Sequence, residues 1–161
     1  MNTLSSIPGA LLFRSVMAVI LVLIMIVIFL SYTTDLTQKA SEIERNKVIY
    51  ELDMALSFRL YSATIDGTLG ELPELNLQNP FVALADENYT VPLTYVGEVK
   101  LPVFLQKSGW YFDTSKRVIF YWENRKITNR YQMQFKFNDS NASGVYESKI
   151  DSIERLGMVR Q

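Results

Sequence analysis

From Val16 to Leu30 the chain reads VMAVILVLIMIVIFL, fifteen residues without a polar side chain. They lie inside a charge-free stretch of twenty, Ser15 to Thr34. As a helix at 1.5 Å per residue, twenty residues cover roughly 30 Å, the thickness of a bilayer's hydrocarbon core. Apolar side chains fall on every face, so no polar stripe is left to meet water. Arg14 is the sole charged side chain among the first 34 residues, and Tyr32 sits just past the apolar run, where an amphipathic ring suits the headgroup zone. The pattern predicts a transmembrane helix over 15–34 behind a short head, 1–14, with Arg14, Ser15, Leu30, Tyr32 and Thr34 marking the anchor.

A cleavable secretory signal opens in the same way. Here, though, the apolar stretch is at a signal's upper limit, and Ser31-Tyr32-Thr33 is the only candidate small-x-small site. A buried core helix would need more protein around it than the 127 residues from Asp35 to Gln161 supply. Charge leaves the orientation divided. Arg14 flanks one end, while Asp35, Lys39, Arg45 and Lys47 mix both signs at the other, leaning slightly toward a cytoplasmic N-terminus.

Beyond the span no Pro or Gly occurs until Gly67, so the helix is expected to continue as an amphipathic segment, 35–63, and to form one unbroken rod from Arg14 to Ser62. Leu36, Ala40 and Ile43 make a narrow apolar stripe. From Val48 the arc widens through Ile49, Leu52, Ala55, Leu56, Leu60 and Ala63, with Tyr50, Met54 and Phe58 on an adjoining face, and all are expected to pack in a core. A homo- or hetero-oligomer through this helix is the competing use of the arc, with Lys47 breaking a regular heptad seam.

Asp66-Gly67-Thr68 and Gly70 stop the helical pattern, and Pro73, Asn76 and Asn79-Pro80 predict an irregular stretch. A soluble domain over 64–161 follows, completed by the preceding helix. Leu93 to Val99, between Pro92 and Pro102, is strand-like. Trp110–Asp113 and Val118–Trp122, separated by Thr114-Ser115-Lys116-Arg117, form a hairpin pattern, and Tyr131–Phe137 alternates strictly between apolar and polar. Val145 to Ile150 fits a further strand, while Ile150, Ile153 and Leu156 fit a short helix, and the tail stays open. The fold class is α+β: a long helix packed on a small antiparallel sheet.

The composition narrows the chemistry. With no His and no Cys, triads, thiol nucleophiles and most transition-metal sites are excluded. Sixteen basic against seventeen acidic side chains leave no electrostatic footprint for nucleic acid. Glu71 and Glu74, and likewise Asp86 and Glu87, are solvated loop charges, too few for calcium and without a neighbour to tune an acid/base pair. No catalytic, cofactor-binding or metal-ligating residue is expected. Trp110, Tyr111, Phe120, Tyr121, Trp122 and Tyr131 are read mainly as core and cross-strand pairs, with one or two left as interface anchors.

The layout of short head, spanning helix continuing outward, loop and sheet is similar to a type IV pilin. In order, Asn79-Pro80-Phe81, Tyr95-Val96-Gly97-Glu98, Gly109-Trp110-Tyr111-Phe112-Asp113 and Ile119-Phe120-Tyr121 resemble the pattern of pilin-like pilus-biogenesis proteins, those of the mannose-sensitive haemagglutinin (MSHA) pilus among them. The resemblance implies a single-pass protein of the bacterial inner membrane, N-terminus cytoplasmic and C-terminal domain periplasmic. It implies a non-enzymatic, cofactor-free accessory role in pilus assembly and cell adhesion, through contacts with pilin subunits or inner-membrane assembly proteins. A minor pilin within the fibre and a membrane-tethered ligand-binding or sensory module are the alternatives.

Two positions depart from the pattern. Type IV prepilins are cut after a Gly and carry Glu five residues on, whereas Arg14 is the fifth residue after Gly9. Arg117 stands in a turn where such proteins often carry Gly.

Overall fold

A computed structural model describes residues 7–85 and 89–161, with side chains from Phe13 onward. The head before Ile7, and Asp86, Glu87 and Asn88, lie outside the described residues. The elements are helix α1 (Ile7–Asp66), a 3-10 helix (Leu69–Leu75), a short helix α2 (Pro80–Ala83), and five strands: β1 (Tyr95–Val99), β2 (Gly109–Asp113), β3 (Val118–Glu123), β4 (Lys126–Asn138) and β5 (Ser152–Arg160). The architecture is α+β, a long apolar N-terminal helix followed by a five-stranded mixed sheet.

Helix α1 carries neither Gly nor Pro between Ala10 and Asp66. Gly67, in the left-handed region at φ 72°, ends it, and Thr68 donates back to the carbonyl of Ala63 at 2.9 Å, a Schellman closure that needs a residue free of Cβ strain. The chain divides into two compact units, Met1–Glu44 and Arg45–Gln161.

In the first unit every side chain from Val16 to Leu30 is exposed, and the helix is long and apolar enough to cross a membrane. A band of hydroxyls follows the apolar run. Ser31 donates to Val27 O, Thr34 to Leu30 O and Thr37 to Thr33 O, each within 2.8–2.9 Å. Such back-bonding satisfies hydroxyls without water. Lys39 and Asp35 then pair at 2.7 Å.

In the second unit the strands lie in chain order, β1-β2-β3-β4-β5. One sheet face presents Trp110, Phe112, Ile119, Tyr121, Met133 and Met158 to Val48, Leu52, Ala55 and Leu56 of α1. Ala63 joins Leu72, Phe135 and Tyr146 in an adjoining cluster. Leu52 and Leu56 are fully buried, so truncating either to Ala costs about 2–5 kcal/mol. On the opposite face Tyr111 and Phe120 stack at 5.6 Å beneath Leu105. Both faces of β2 are therefore covered, and all five of its residues are buried.

Four expectations are corrected. The sheet is not wholly antiparallel: β1 runs parallel to β2, pairing Tyr95 with Trp110 and Glu98 with Phe112. The connection between them, residues 100–108, contains no helix and crosses the second face, where Leu101 and Leu105 pack; a crossover this short leaves no helical signature in sequence. Tyr50, Met54 and Phe58 are exposed rather than core, because the apolar arc of α1 is two faces and only the one through Val48, Leu52 and Leu56 meets the sheet. The stretch after Gly67 is largely the 3-10 helix and α2, with Asn79 capping the latter. Residues 145–150 form no strand; β5 begins at Ser152.

Candidate functional site

The residues carrying the resemblance lie in four separate stretches of sequence and come together around β1 and β2. Asn79 organises them. Its Oδ1 accepts the N–H of Phe81 at 3.2 Å and so caps α2, with Pro80 in the first helical turn. Its Nδ2 donates at 2.8 Å both to the Tyr95 hydroxyl and to Glu98 Oε1 on β1. A buried amide thus spends its oxygen on one element and its nitrogen on the next.

The aromatic rings follow from that clamp. Phe81 packs on Tyr95 at 4.4 Å and lies 6.3 Å from Trp110, which meets Tyr121 edge-on at 5.3 Å. Burial raises the pKa of Tyr95; the Asn79 hydrogen bond opposes this and the Glu98 carboxylate adds to it. The hydroxyl therefore stays neutral at physiological pH.

Gly109 permits the parallel pairing. Its φ is +149°, and a Cβ there would lie 2.4 Å from the carbonyl oxygen of Thr94, which accepts the N–H of Trp110 at 2.8 Å. Gly97 also has a positive φ, 141°, but faces open space.

Asp113 ends β2 fully buried, its Oδ1 accepting from the Ser115 N–H at 2.9 Å and the Ser115 hydroxyl at 2.6 Å. Burial works against its ionisation, yet donation from Ser115 and from the N–H groups of Lys116 and Leu101 outweighs it and holds the carboxyl below the usual aspartate range. The turn it organises closes with Arg117 in the left-handed region at φ 54°, donating from its N–H to the Asp113 carbonyl at 2.7 Å. A side chain is accommodated at that position, at a backbone cost of roughly 1 kcal/mol.

Most of the motif is therefore architecture. Pro80, Phe81, Gly109, Trp110, Tyr111, Phe112, Asp113 and Tyr121 are buried, Tyr95 and Gly97 half-buried, and only Glu98 is exposed. Trp110, at 1 % exposure, offers no ring face to a ligand. Tyr111 lies on the opposite sheet face from Trp110 and Phe112, where its hydroxyl donates to Lys107 O at 2.7 Å. The anchor residues Arg14, Ser15, Leu30, Tyr32 and Thr34 all lie exposed on α1 in the first unit.

Beside the clamp is an open groove of about 380 Å³ lined by Gln78, Val82, Glu98, Thr114 and Arg117 among others. A second, of about 410 Å³, lies between Phe104, Ser108, Trp122 and Arg125. Each presents a few polar side chains beside exposed apolar ones, Val82 in the first and Phe104 in the second.

Two charged residues on α1 contribute contacts that reading for motifs missed. Arg45 donates from Nη1 to Glu123 Oε2 at 2.7 Å, with its guanidinium 5.2 Å from the Tyr121 ring centre. Asp53 reaches β5 as an acceptor, its Oδ1 taking the backbone N–H of Met158. Arg45 was findable, since it precedes Leu52 by seven residues and so shares its buried face.

Comparison with known proteins finds no family model, no curated protein and no solved structure that matches this chain.

Proposed function

We propose that the chain is a membrane-anchored, non-enzymatic accessory protein of type IV pilus biogenesis, of the kind represented by the small F-type biogenesis protein of the MSHA pilus. Its α1 holds it in a bacterial inner membrane with the N-terminus cytoplasmic. The unit Arg45–Gln161 works in the periplasm through contacts with pilin subunits or assembly-platform proteins. The single observation that supports this reading best is α1 itself, a helix with a fully exposed apolar run that continues into the unit bearing the sheet. The convergence of Asn79, Tyr95, Glu98 and Trp110 on one β1–β2 clamp adds support, because it makes the resemblance one folded unit rather than scattered short matches.

Arg14 bears on the role. In a fibre, a Glu near the processed end neutralises a neighbour's terminal amine inside lipid. Arg14 would repel that amine instead, at a high cost in hydrocarbon. An accessory protein of the membrane fits this charge better than a fibre subunit does. The test is deletion of the gene followed by quantification of surface pili and pilus-dependent adhesion, with intact-mass measurement of the native chain. Loss of piliation with an unprocessed N-terminus is the expected result. Unchanged piliation overturns the assignment, and processing after Gly9 moves the protein into the fibre.

A further inference from the structure

Helix α1 of the second unit has two apolar faces. At 100° per residue, Val48, Leu52, Leu56 and Ala63 cluster on one side and meet the sheet, whereas Tyr50, Met54, Phe58, Tyr61 and Ile65 cluster about 160° away. The second set is exposed: Tyr50 65 %, Met54 53 %, Phe58 48 %, Tyr61 65 % and Ile65 66 %. Their spacings of four, four, three and four keep them in one line over four turns, flanked by Asp53, Ser57 and Thr64 on one side and Glu51 and Ser62 on the other. A continuous line of three aromatics, a Met and an Ile on a helix whose other face is already buried is an interaction surface.

We infer that this stripe is the contact by which a second copy of the chain docks, the two helices lying parallel. Two arguments select a second copy. The exposed parts of the five side chains sum to on the order of 600 Å² per copy, so complete mutual burial would remove at most about 1,200 Å² in total, the lower bound of a stable interface. The flanking charges are self-complementary as well. Lys47 lies on the line of the stripe two turns before Met54 and Glu51 lies at its edge, and within one chain they pair loosely at 3.6 Å while exposed. In a parallel two-fold pair each Lys47 reaches the Glu51 of the other copy, so the two loose internal pairs, one in each copy, are exchanged for two crossed ones that fix the register. The parallel alignment rests on the membrane-anchored reading, since anchors inserted with one polarity leave only a two-fold axis along the membrane normal; the stripe and its area do not rest on it.

A chain without cysteine makes the test direct. The full-length protein is prepared in native membranes as Met54→Cys, Tyr61→Cys and, as a control on an exposed loop, Asn141→Cys, and oxidised with copper phenanthroline. The expected result is disulfide-linked dimer from positions 54 and 61 at tenfold or more the yield from 141. Adding Phe58→Glu to Met54→Cys should reduce that yield tenfold while leaving thermal unfolding unchanged, since Phe58 takes no part in the core. Equal yields at 54 and 141 overturn the inference. So does an adduct of the thiol at position 54 with a different polypeptide, and so does quenching by brominated lipid of a fluorophore coupled to that thiol in a parallel sample that gives no dimer, which would make the stripe a lipid contact. Membrane retention is scored separately in the same vesicles, so failure of dimerisation and failure of the anchor are distinguishable.

Discussion

Asp53 of α1 accepts the backbone N–H of Met158 on β5 at 2.6 Å, across 105 residues of sequence. Strand β5 is an edge strand, and an edge leaves backbone donors without a ladder partner. The carboxylate satisfies one of them and ties helix to sheet at that edge. Gly157 makes room for it, since a Cβ there would lie 3.2 Å from Asp53 Oδ1.

Asp53→Ala is therefore expected to lower stability by about 1.5 kcal/mol, the value of a charge-assisted hydrogen bond. Asp53→Asn keeps a neutral acceptor and is expected to cost about half as much. Urea unfolding of the full chain in detergent micelles, followed by Trp fluorescence, checks both. Equal losses for Ala and Asn would remove the hydrogen bond from the account.

Asn79 has a sharper signature. Asn79→Ala removes a helix cap and two donated bonds, an expected loss of about 2 kcal/mol. Asn79→Asp keeps the cap but sets a carboxylate against Glu98, so it too is expected to destabilise at neutral pH. Adding Glu98→Gln to Asn79→Asp should recover most of the loss in the same unfolding assay. No recovery would mean that Asn79 does not bridge α2 and β1.

The two β1–β2 glycines separate close approach from backbone preference. Gly109→Ala forces a Cβ onto the Thr94 carbonyl and is expected to cost about 3 kcal/mol or more. Gly97→Ala meets open space and pays only for its φ, about 1 kcal/mol. Melting temperatures of the two variants should rank in that order.

Asp113 predicts an acid limb. Its folded pKa lies below the ordinary value of 3.8, so the stability it contributes is fully present above pH 4 and is lost as pH falls through the folded value. Ser115→Ala removes one of the donors responsible and should shrink the loss of stability that sets in as pH falls below about 4. An acid limb unchanged in Ser115→Ala would assign that pH dependence to other carboxylates.

Legibility in the sequence followed the physics of each element. The alternation of Tyr131–Phe137 and the β-rich runs around residues 114–117 gave β4 and the β2–β3 hairpin directly, because each strand has a face on the core. The β3–β4 turn was hidden: Asn124 and Arg125 both take positive φ, 49° and 61°, in a two-residue primed turn, and Arg at the second position masks the usual Asn-Gly signal. Strand β5 looked partly helical because a bulge opposite Lys136 and Phe137 changes the parity of the strand, so that Ile153 and Leu156, three apart, face the same cluster. The same limit applied at the clamp. The motif residues were identifiable, but the hydrogen bonds of Asn79 depend on a parallel pairing that no local pattern encodes.

The central claim is that lipid is the solvent of α1 between Ser15 and Thr34. Its most direct test is an alkaline carbonate wash of native vesicles, with the chain detected at its uncut mass in pellet and supernatant. Retention of the full-length protein in the pellet is the predicted result; release of the intact chain into the wash would contradict it.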